Sequence, residues 1–262
     1  MTSSLPIDLI YANGCSWTYG DGLHNDPKIV DGPNMMYSDL KKYAWPNLLA
    51  EIISCNVVNE AAGGGSNHRM VRTTCNFLKK YPENKRKNLL VILGWTSLER
   101  DEIYLSHNNC NFWINFNAGQ DVNTSHVFKT TRYPLHVMKN LETYQNIYRQ
   151  YVQHTYSGFV TWLDQTYMMS NMLSNLGVRF LFFSSIGGWK WGNGSDISIS
   201  TTFKKNLTHL DDERFLGMGQ GRNMQDFCVD NGIQLSPCCH PMIDGHELWA
   251  KYLHGKLQEI YG

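Results

Sequence analysis

Short apolar runs alternate along this chain with segments of helical periodicity, and this alternation restricts the fold more than any other feature. The clearest run is Leu-Leu-Val-Ile-Leu at 89–93, which stops at Gly94. Comparable runs occupy 7–12, 56–59, 178–183 and 233–235. Apolar residues recur at helical spacing in 45–53, 70–78, 141–176 and 244–260. Strands that alternate with helices predict a three-layer, doubly wound α/β sheet of about five parallel strands.

Two segments lack a regular apolar period and predict insertions. Residues 101–137 are rich in asparagine and aromatic side chains, and 187–222 begins with a Gly/Trp-rich loop. Because no linker or internal repeat divides the chain, we expect one domain over residues 1–262. Within 141–176, Gly158 predicts a break between two helices.

Composition excludes several classes of protein. The chain has 23 basic and 23 acidic residues, whereas nucleic-acid-binding domains usually carry a basic excess. No segment has the roughly 18–20 apolar residues that cross a bilayer, and the first residues have no signal-peptide pattern. Seven scattered cysteines fit reduced thiols better than a disulfide framework. We therefore expect a cytoplasmic protein that binds neither nucleic acid nor membrane.

Chemically useful residues follow the predicted strands, at the end of the sheet where α/β proteins bind ligands. Ser16 follows the first strand, and His240 precedes the last helix. A serine hydroxyl is a weak nucleophile that needs an adjacent base, most often histidine. A serine at a strand-to-helix turn also offers its N–H to an oxyanion, and the glycines of 63–65 allow a second N–H to approach closely. The pattern favours acyl transfer.

These stretches resemble the four sequence blocks of the SGNH (GDSL-type) hydrolase superfamily. Gly-Cys-Ser-Trp-Thr-Tyr-Gly at 14–20 is similar to the first block, G-D-S-x-T-x-G, and Asn59 with Gly64 is similar to the second. Leu-Gly-Trp-Thr-Ser at 93–97 lies where the family has L-G-x-N-D, and the stretch from His240 to His246 resembles the final block. The overall form also resembles SGNH-like proteins of tailed bacteriophages, which implies a virion location if the chain is phage-encoded.

The resemblance implies a flavodoxin-like strand order and a serine hydrolase that cleaves an ester without a cofactor or metal. The substrate would be an O-acyl or acetyl group on a carbohydrate or another small molecule. Ser16 would be the nucleophile and His240 the base. The N–H groups of Ser16 and Gly64 would hold the oxyanion, helped by Thr96 in place of the family's Asn. The candidate substrate-binding residues are Asn67, Trp95, Arg100, Trp189 and Trp191.

One departure from the family leaves a second function open. Pro237 stands where the family has the Asp that orients its histidine. A backbone carbonyl or a distant carboxylate would have to orient His240 instead, the carboxylates considered being Asp211, Asp212 and Asp230. The missing carboxylate and Thr96 favour the alternative, a catalytically silent module that binds glycan or belongs to a virion.

Three further features have more than one interpretation. Arg100 either forms a surface pair with Glu102, the more common arrangement, or binds an anionic group of the substrate. Cys238 and Cys239 together with the nearby histidines suggest zinc, but adjacent cysteines do not easily ligate one ion and no C-x-x-C is present. His246 is expected to be a packing residue rather than a second base.

Overall fold

Five parallel strands form the main sheet of the structure, a computed structural model that describes residues 6–29, 32–107, 110–117, 143–144, 146–148, 155–186, 208–220 and 222–262. The strands of the described chain are β1 (Leu9–Gly14), β2 (Asn56–Asn59), β3 (Leu89–Trp95), β4 (Arg100–His107), β5 (Cys110–Asn117), β6 (Arg179–Ser184) and β7 (Phe215–Leu216). The main sheet has the order β2-β1-β3-β6-β7, with every neighbouring pair parallel. This flavodoxin-like order confirms the predicted α/β fold.

Helices separate the parallel strands along the chain. They are α1 (Ser16–Tyr19), α2 (Tyr37–Leu40), α3 (Trp45–Ile53), α4 (Asn67–Lys80), α5 (Thr155–Asn175), α6 (Met224–Asp230) and α7 (Ile243–Tyr261). Pro46 lies in the first turn of α3, where its missing N–H costs nothing. The predicted helices at 45–53 and 244–260 are confirmed to within one residue at each end.

Successive side chains of a strand point to opposite faces of the sheet, and helices pack on both faces here. Phe183 packs edge-on against Trp45 of α3 and Trp249 of α7. On the other face, Tyr11 stacks on Phe77 of α4 with the ring centroids 4.2 Å apart. β1 and β6 are buried except for their first residues, and β3 is buried over its whole length. Burial on both faces explains why the strands form continuous apolar runs rather than alternating patterns.

The last strand of the sheet differs from the prediction. Residues 233–235 do not join the sheet, and Leu235 instead forms an isolated antiparallel bridge with Pro241. The fifth strand is β7, which lies inside the segment predicted as an insertion at 187–222. A strand of two residues is too short to show an apolar period, so the sequence pattern missed it.

Two other predictions are refined by the structure. Residues 100–117 contain the antiparallel hairpin of β4 and β5, a sheet separate from the main one. The predicted helix break at Gly158 is wrong, because α5 continues through this residue. A Cβ at Gly158 would lie 3.3 Å from the Cβ of Leu98, so close packing accounts for the glycine. Among the described residues, no helix has the length and apolar character needed to span a membrane.

Candidate active site

Ser16 lies at the carboxyl edge of the sheet as the first residue of α1. β1 and β3 run in register to the pair Gly14–Gly94, so the segments that follow both strands leave the sheet at the same level. The Ser16 side chain is only 3% exposed. Its N–H has no acceptor among the described residues, as expected for the first residue of a helix. Gly20, with φ of 99°, ends α1 after one turn.

His240 lies within hydrogen-bond distance of Ser16, although 224 positions separate them in the sequence. The Nε2 atom of His240 is 2.7 Å from Ser16 Oγ. Its other ring nitrogen, Nδ1, is 2.8 Å from the backbone carbonyl oxygen of Cys238. A carbonyl only accepts, so Nδ1 carries the proton and Nε2 is left to accept from the serine hydroxyl. This tautomer is the one that a general base requires.

The carbonyl that orients His240 comes from a tight turn. Cys239 N–H donates to the carbonyl of Ser236 at 2.8 Å, which closes a β-turn with Pro237 as its second residue. Proline is favoured at that position because its ring fixes φ near the required value. The Ser236 hydroxyl also accepts from His240 N–H at 3.1 Å. The turn at Pro237 therefore presents the Cys238 carbonyl to the His240 ring.

Electrostatics keep His240 uncharged at neutral pH. Partial burial lowers the pKa of His240, and the nearby positive charge of Arg100 lowers it further. The hydrogen bond to the Cys238 carbonyl acts in the opposite direction, because it stabilises the protonated ring. A neutral imidazole is available to take the Ser16 proton without first losing one of its own.

Two residues of the loop after α1 hold the His240 segment in place, and sequence analysis missed both. The Asp26 carboxylate is 96% buried and accepts from Ile243 N–H, the first N–H of α7, at 2.6 Å. Gly22 packs so closely that an added Cβ would overlap the Pro241 carbonyl and lie 2.9 Å from His240 Cβ. No sequence signal identified these roles, because both partners are more than 200 positions away.

The second strand end supplies a glycine turn beside Ser16. The turn is fixed to β1, because Ala62 N–H donates to the Gly14 carbonyl at 3.3 Å. Gly65 has no room for a side chain, since a Cβ would lie 3.0 Å from the same carbonyl oxygen. Gly64 itself has φ of 67°, in the left-handed region, and its N–H has no acceptor among the described residues.

The third strand end places Thr96 in a buried position, 1% exposed. Its backbone is clamped by the amide of Asn67, which accepts from Thr96 N–H at 2.9 Å and donates to the Thr96 carbonyl at 3.1 Å. The Thr96 hydroxyl has no hydrogen-bond partner in the described part of the chain. Asn67, predicted to bind substrate, uses its amide to position Thr96, and also lines a neighbouring cavity.

The other predicted substrate-binding residues separate into three groups. Trp95 is fully buried and packs edge-on against Phe182, so it is a core residue and the prediction is corrected. Trp189 and Trp191 lie outside the described residues. Arg100 does not pair with Glu102, because both oxygens of Glu102 accept from Arg72 at 2.7 Å. Arg100 instead lines a cavity that Asn67 also lines, beside the third strand end.

The cavity that Arg100 lines has a volume of about 230 Å³. Its wall combines apolar residues such as Leu98 and Trp162 with the polar side chains of His68, Asp101 and Gln165. A second cavity, of about 580 Å³, lies between β7, α6 and α7 and is lined by neither Ser16 nor His240. Neither residue lines the smaller cavity, but Asn67 does, and its hydrogen bonds to Thr96 place this cavity beside the third strand end.

His246 is the packing residue that the sequence predicted. It is completely buried, and its Nδ1 accepts from Trp45 N–H at 3.2 Å, which satisfies the first N–H of α3. Burial lowers the pKa of His246 to about 3. Cys238 and Cys239, considered with it as zinc ligands, are exposed free thiols.

Residues 26–261 match DUF6071, described as a family of unknown function. The chain belongs to this family. The region of this DUF6071 protein that matches begins after Ser16, so it covers the His240 segment but not the first block. No curated protein matches the chain.

Several solved structures are similar to this DUF6071 protein at low identity. A lipase from a goat rumen metagenome is 11% identical, with a TM-score of 0.45 over 97% of this chain and 98% of the lipase. A carbohydrate esterase, described as having divergent catalytic and non-catalytic binding functions, is 13% identical, with a TM-score of 0.44 over 97% and 69% of the two chains. A lipolytic protein of the G-D-S-L family from Veillonella parvula is 12% identical, with a TM-score of 0.40 over 97% of each chain. Similarities this low do not identify catalytic or binding residues in this chain.

Proposed function

We propose that this protein is a serine hydrolase of the SGNH type that cleaves an ester through Ser16 and His240. The observation that carries the proposal is the alignment of three groups: the Ser16 hydroxyl, the His240 ring and the Cys238 carbonyl. The ring lies between a nucleophile and an orienting acceptor, with Nε2 2.7 Å from Ser16 Oγ and Nδ1 2.8 Å from the Cys238 carbonyl oxygen. The resemblance of the sequence to the SGNH blocks supports the same assignment.

The first half of the reaction forms an acyl-enzyme. Ser16 Oγ attacks the carbonyl carbon of the ester while His240 Nε2 takes the hydroxyl proton. The carbonyl oxygen becomes an oxyanion as the new C–O bond forms. Collapse of this intermediate breaks the ester bond, and the leaving alkoxide receives the proton from His240. In the second half, water takes the place of the alcohol and releases the acid.

Three donors are assigned to the oxyanion. The N–H groups of Ser16 and Gly64 lack acceptors among the described residues, and the Thr96 hydroxyl is buried without a partner in that part of the chain. Unpaired donors fixed by the fold stabilise a developing negative charge without reorganisation. The clamp of Asn67 on the Thr96 backbone holds the third donor in position.

Covalent labelling with a fluorophosphonate tests the proposal without knowledge of the natural acyl group. We expect one adduct, located on Ser16 by peptide mass spectrometry. It should be absent in Ser16→Ala and strongly reduced in His240→Ala. Ser170→Ala, which removes a serine hydroxyl of α5 that bonds the Tyr167 carbonyl, is the matched control and should label normally.

The alternative function has an observation of its own in its favour. Within the described residues, the only group that orients His240 is a neutral carbonyl, and loss of the carboxylate from one well-studied triad lowers kcat by about 10⁴-fold. A protein that stays unlabelled from neutral to alkaline pH would overturn the hydrolase and favour a silent glycan-binding or virion-associated module. A glycan array with the folded protein would then be the next measurement.

A further inference from the structure

Arg100 is a cation at the start of β4, and the two carboxylates that follow it on this strand are engaged elsewhere. On the same strand, both oxygens of Glu102 accept from Arg72. Asp101 lies 2.6 Å from His68 Nδ1 and accepts from the Tyr148 hydroxyl at 2.7 Å. No ion pair joins Arg100 to a carboxylate of the described chain. Its Nη1 atom is buried and has no hydrogen-bond partner among these residues.

The position of Arg100 connects the cavity to the candidate nucleophile. Arg100 lines the 230 Å³ cavity together with hydroxyl and amide side chains such as Thr161 and Gln165. Asn67 lines the same cavity and bonds to both backbone groups of Thr96, whose hydroxyl is assigned to the oxyanion. The charge of Arg100 is also near enough to His240 to lower its pKa. A molecule whose ester carbonyl lies at Ser16 and whose body enters the cavity would pass this guanidinium.

The surrounding charge favours a ligand with one negative charge. The charged side chains of the cavity wall include Arg100 and the Asp101 carboxylate, which lies 2.6 Å from His68 Nδ1. Because Asp101 already has this partner, Arg100 offers one positive charge without an ion-pair partner in the described chain. A singly charged carboxylate therefore fits better than a doubly charged phosphate.

We propose that Arg100 binds a carboxylate of the substrate, so that the esters cleaved at Ser16 are those of small carboxylated molecules. This inference rests on the proposed function and adds the substrate class. A guanidinium presents two parallel N–H donors to a carboxylate, and a buried charged donor is stabilised when it gains such a partner. The cavity, of about 230 Å³, is smaller than the roughly 300–1,000 Å³ of pockets for drug-sized ligands, so the group that enters it is small.

Binding to the Ser16→Ala variant tests the inference without turnover. The ligands are monomethyl succinate, which has one carboxylate and one ester, and dimethyl succinate, which is neutral, titrated at pH 7 by NMR. Monomethyl malonate and monomethyl glutarate vary the span between the two groups. Hydrogen bonds to charged groups predict that the best monoester binds about 10- to 100-fold more tightly than its neutral diester.

Variants of Arg100 identify the source of that preference. In Ser16→Ala/Arg100→Gln the monoester and the diester should bind equally. Arg100→Lys, which keeps the charge without the planar pair of donors, should give an intermediate ratio and serves if the Gln variant does not fold. Arg222→Gln is the matched control, since Arg222 pairs with Asp230 at an exposed position and should leave the ratio unchanged.

Two results would overturn the inference. One is equal binding of monoester and diester to Ser16→Ala, or a preference that survives Arg100→Gln. The other is tighter binding of methyl phosphate than of any monoester, which would assign the site to phosphate. Because these titrations need no catalysis, they are independent of the fluorophosphonate result. Labelling of Ser16 without a carboxylate preference would leave the hydrolase in place and remove only the substrate class.

Discussion

Two histidines six positions apart have opposite tautomers, although burial lowers the pKa of both. In His240, Nδ1 donates to the Cys238 carbonyl and Nε2 accepts from Ser16. In His246, Nδ1 accepts from Trp45 N–H, so the proton is on Nε2, which is buried without a partner in the described chain. The backbone group that faces Nδ1, a carbonyl or an N–H, decides which ring can serve as a base.

The comparison shows what replaces a carboxylate in this site. A carbonyl fixes the tautomer and the orientation of His240, as an aspartate would, but it supplies no full negative charge to the imidazolium. We therefore expect a working base that is weaker than that of an aspartate-containing triad. His246, in contrast, has no route to act as a base, because its accepting nitrogen is taken by the backbone.

The largest expected effect comes from replacing each histidine with asparagine. Asparagine can keep the contact of Nδ1 in both places, as a donor at 240 and as an acceptor at 246, but it has no Nε2. His240→Asn should lower kcat/KM for 4-nitrophenyl acetate by about 10⁴-fold or more with normal stability. His246→Asn should keep turnover and lose about 1–3 kcal/mol of unfolding free energy, from lost packing. Equal losses of turnover in both variants would contradict the distinction.

Some parts of the fold and of the candidate site could be predicted from the sequence, and the group that orients His240 could not. Apolar runs identify β1, β3 and β6, because strands buried on both faces need continuous apolar side chains. The motif spacing identified Ser16 and His240, which the fold brings within 2.7 Å. The group that orients His240 is a backbone carbonyl, which every residue has, so no residue type marks it.

Sequence patterns also missed roles that depend on contacts between distant segments. No sequence signal showed that the Asn67 amide clamps Thr96, and Trp95 was assigned to the substrate but lies in the core. Arg100 was expected to pair with Glu102, but both oxygens of Glu102 accept hydrogen bonds from Arg72 of α4. A single sequence does not show which of two nearby cations a carboxylate selects.

Displacing His240 without removing it gives the next largest effect. In Gly22→Ala the new methyl group meets the Pro241 carbonyl and His240 Cβ, so the two segments must separate, and we expect this shift to disturb the contact between His240 and Ser16. Small displacements of catalytic groups cost up to about 100-fold, and we expect kcat to fall by about 10- to 100-fold. Gly255→Ala is the control, because its Cβ would meet nothing within 4 Å on α7. That variant should keep kcat and gain about 0.5–1 kcal/mol of stability.

Lowering the pH should reduce the stability of the folded protein through His246. The pKa of His246 falls from an unfolded value near 6.5 to about 3 in the folded protein. Between these values the unfolded chain binds a proton that the folded chain does not, so stability is complete above pH 6.5 and falls as the pH decreases. The His246 contribution to this loss between pH 7 and pH 5 is roughly 2 kcal/mol.

Chemical denaturation of wild type and His246→Asn at both pH values measures this contribution. The asparagine variant should lose roughly 2 kcal/mol less on acidification, because it has no group that titrates at this position. Carboxylates with a lowered pKa, such as Asp101 and Asp212, act equally in both proteins and cancel. An identical loss in the two proteins would show that His246 is not held neutral by burial.

The smallest expected effect is a shift of the pH profile and concerns His240 alone. Its lowered pKa predicts that kcat/KM for a neutral ester stays high until the pH falls below 6.5, where protonation removes the base. Arg100→Gln removes a positive charge that lowers this pKa, so the acid limb should move to higher pH. Burial of the ring, the largest cause of the lowered pKa, remains in this variant. Arg222→Gln should not move the limb, since Arg222 does not contribute to the pKa of His240. A shift to lower pH in Arg100→Gln would mean that the guanidinium supports the protonated ring, and would separate Arg100 from the Ser16–His240 pair.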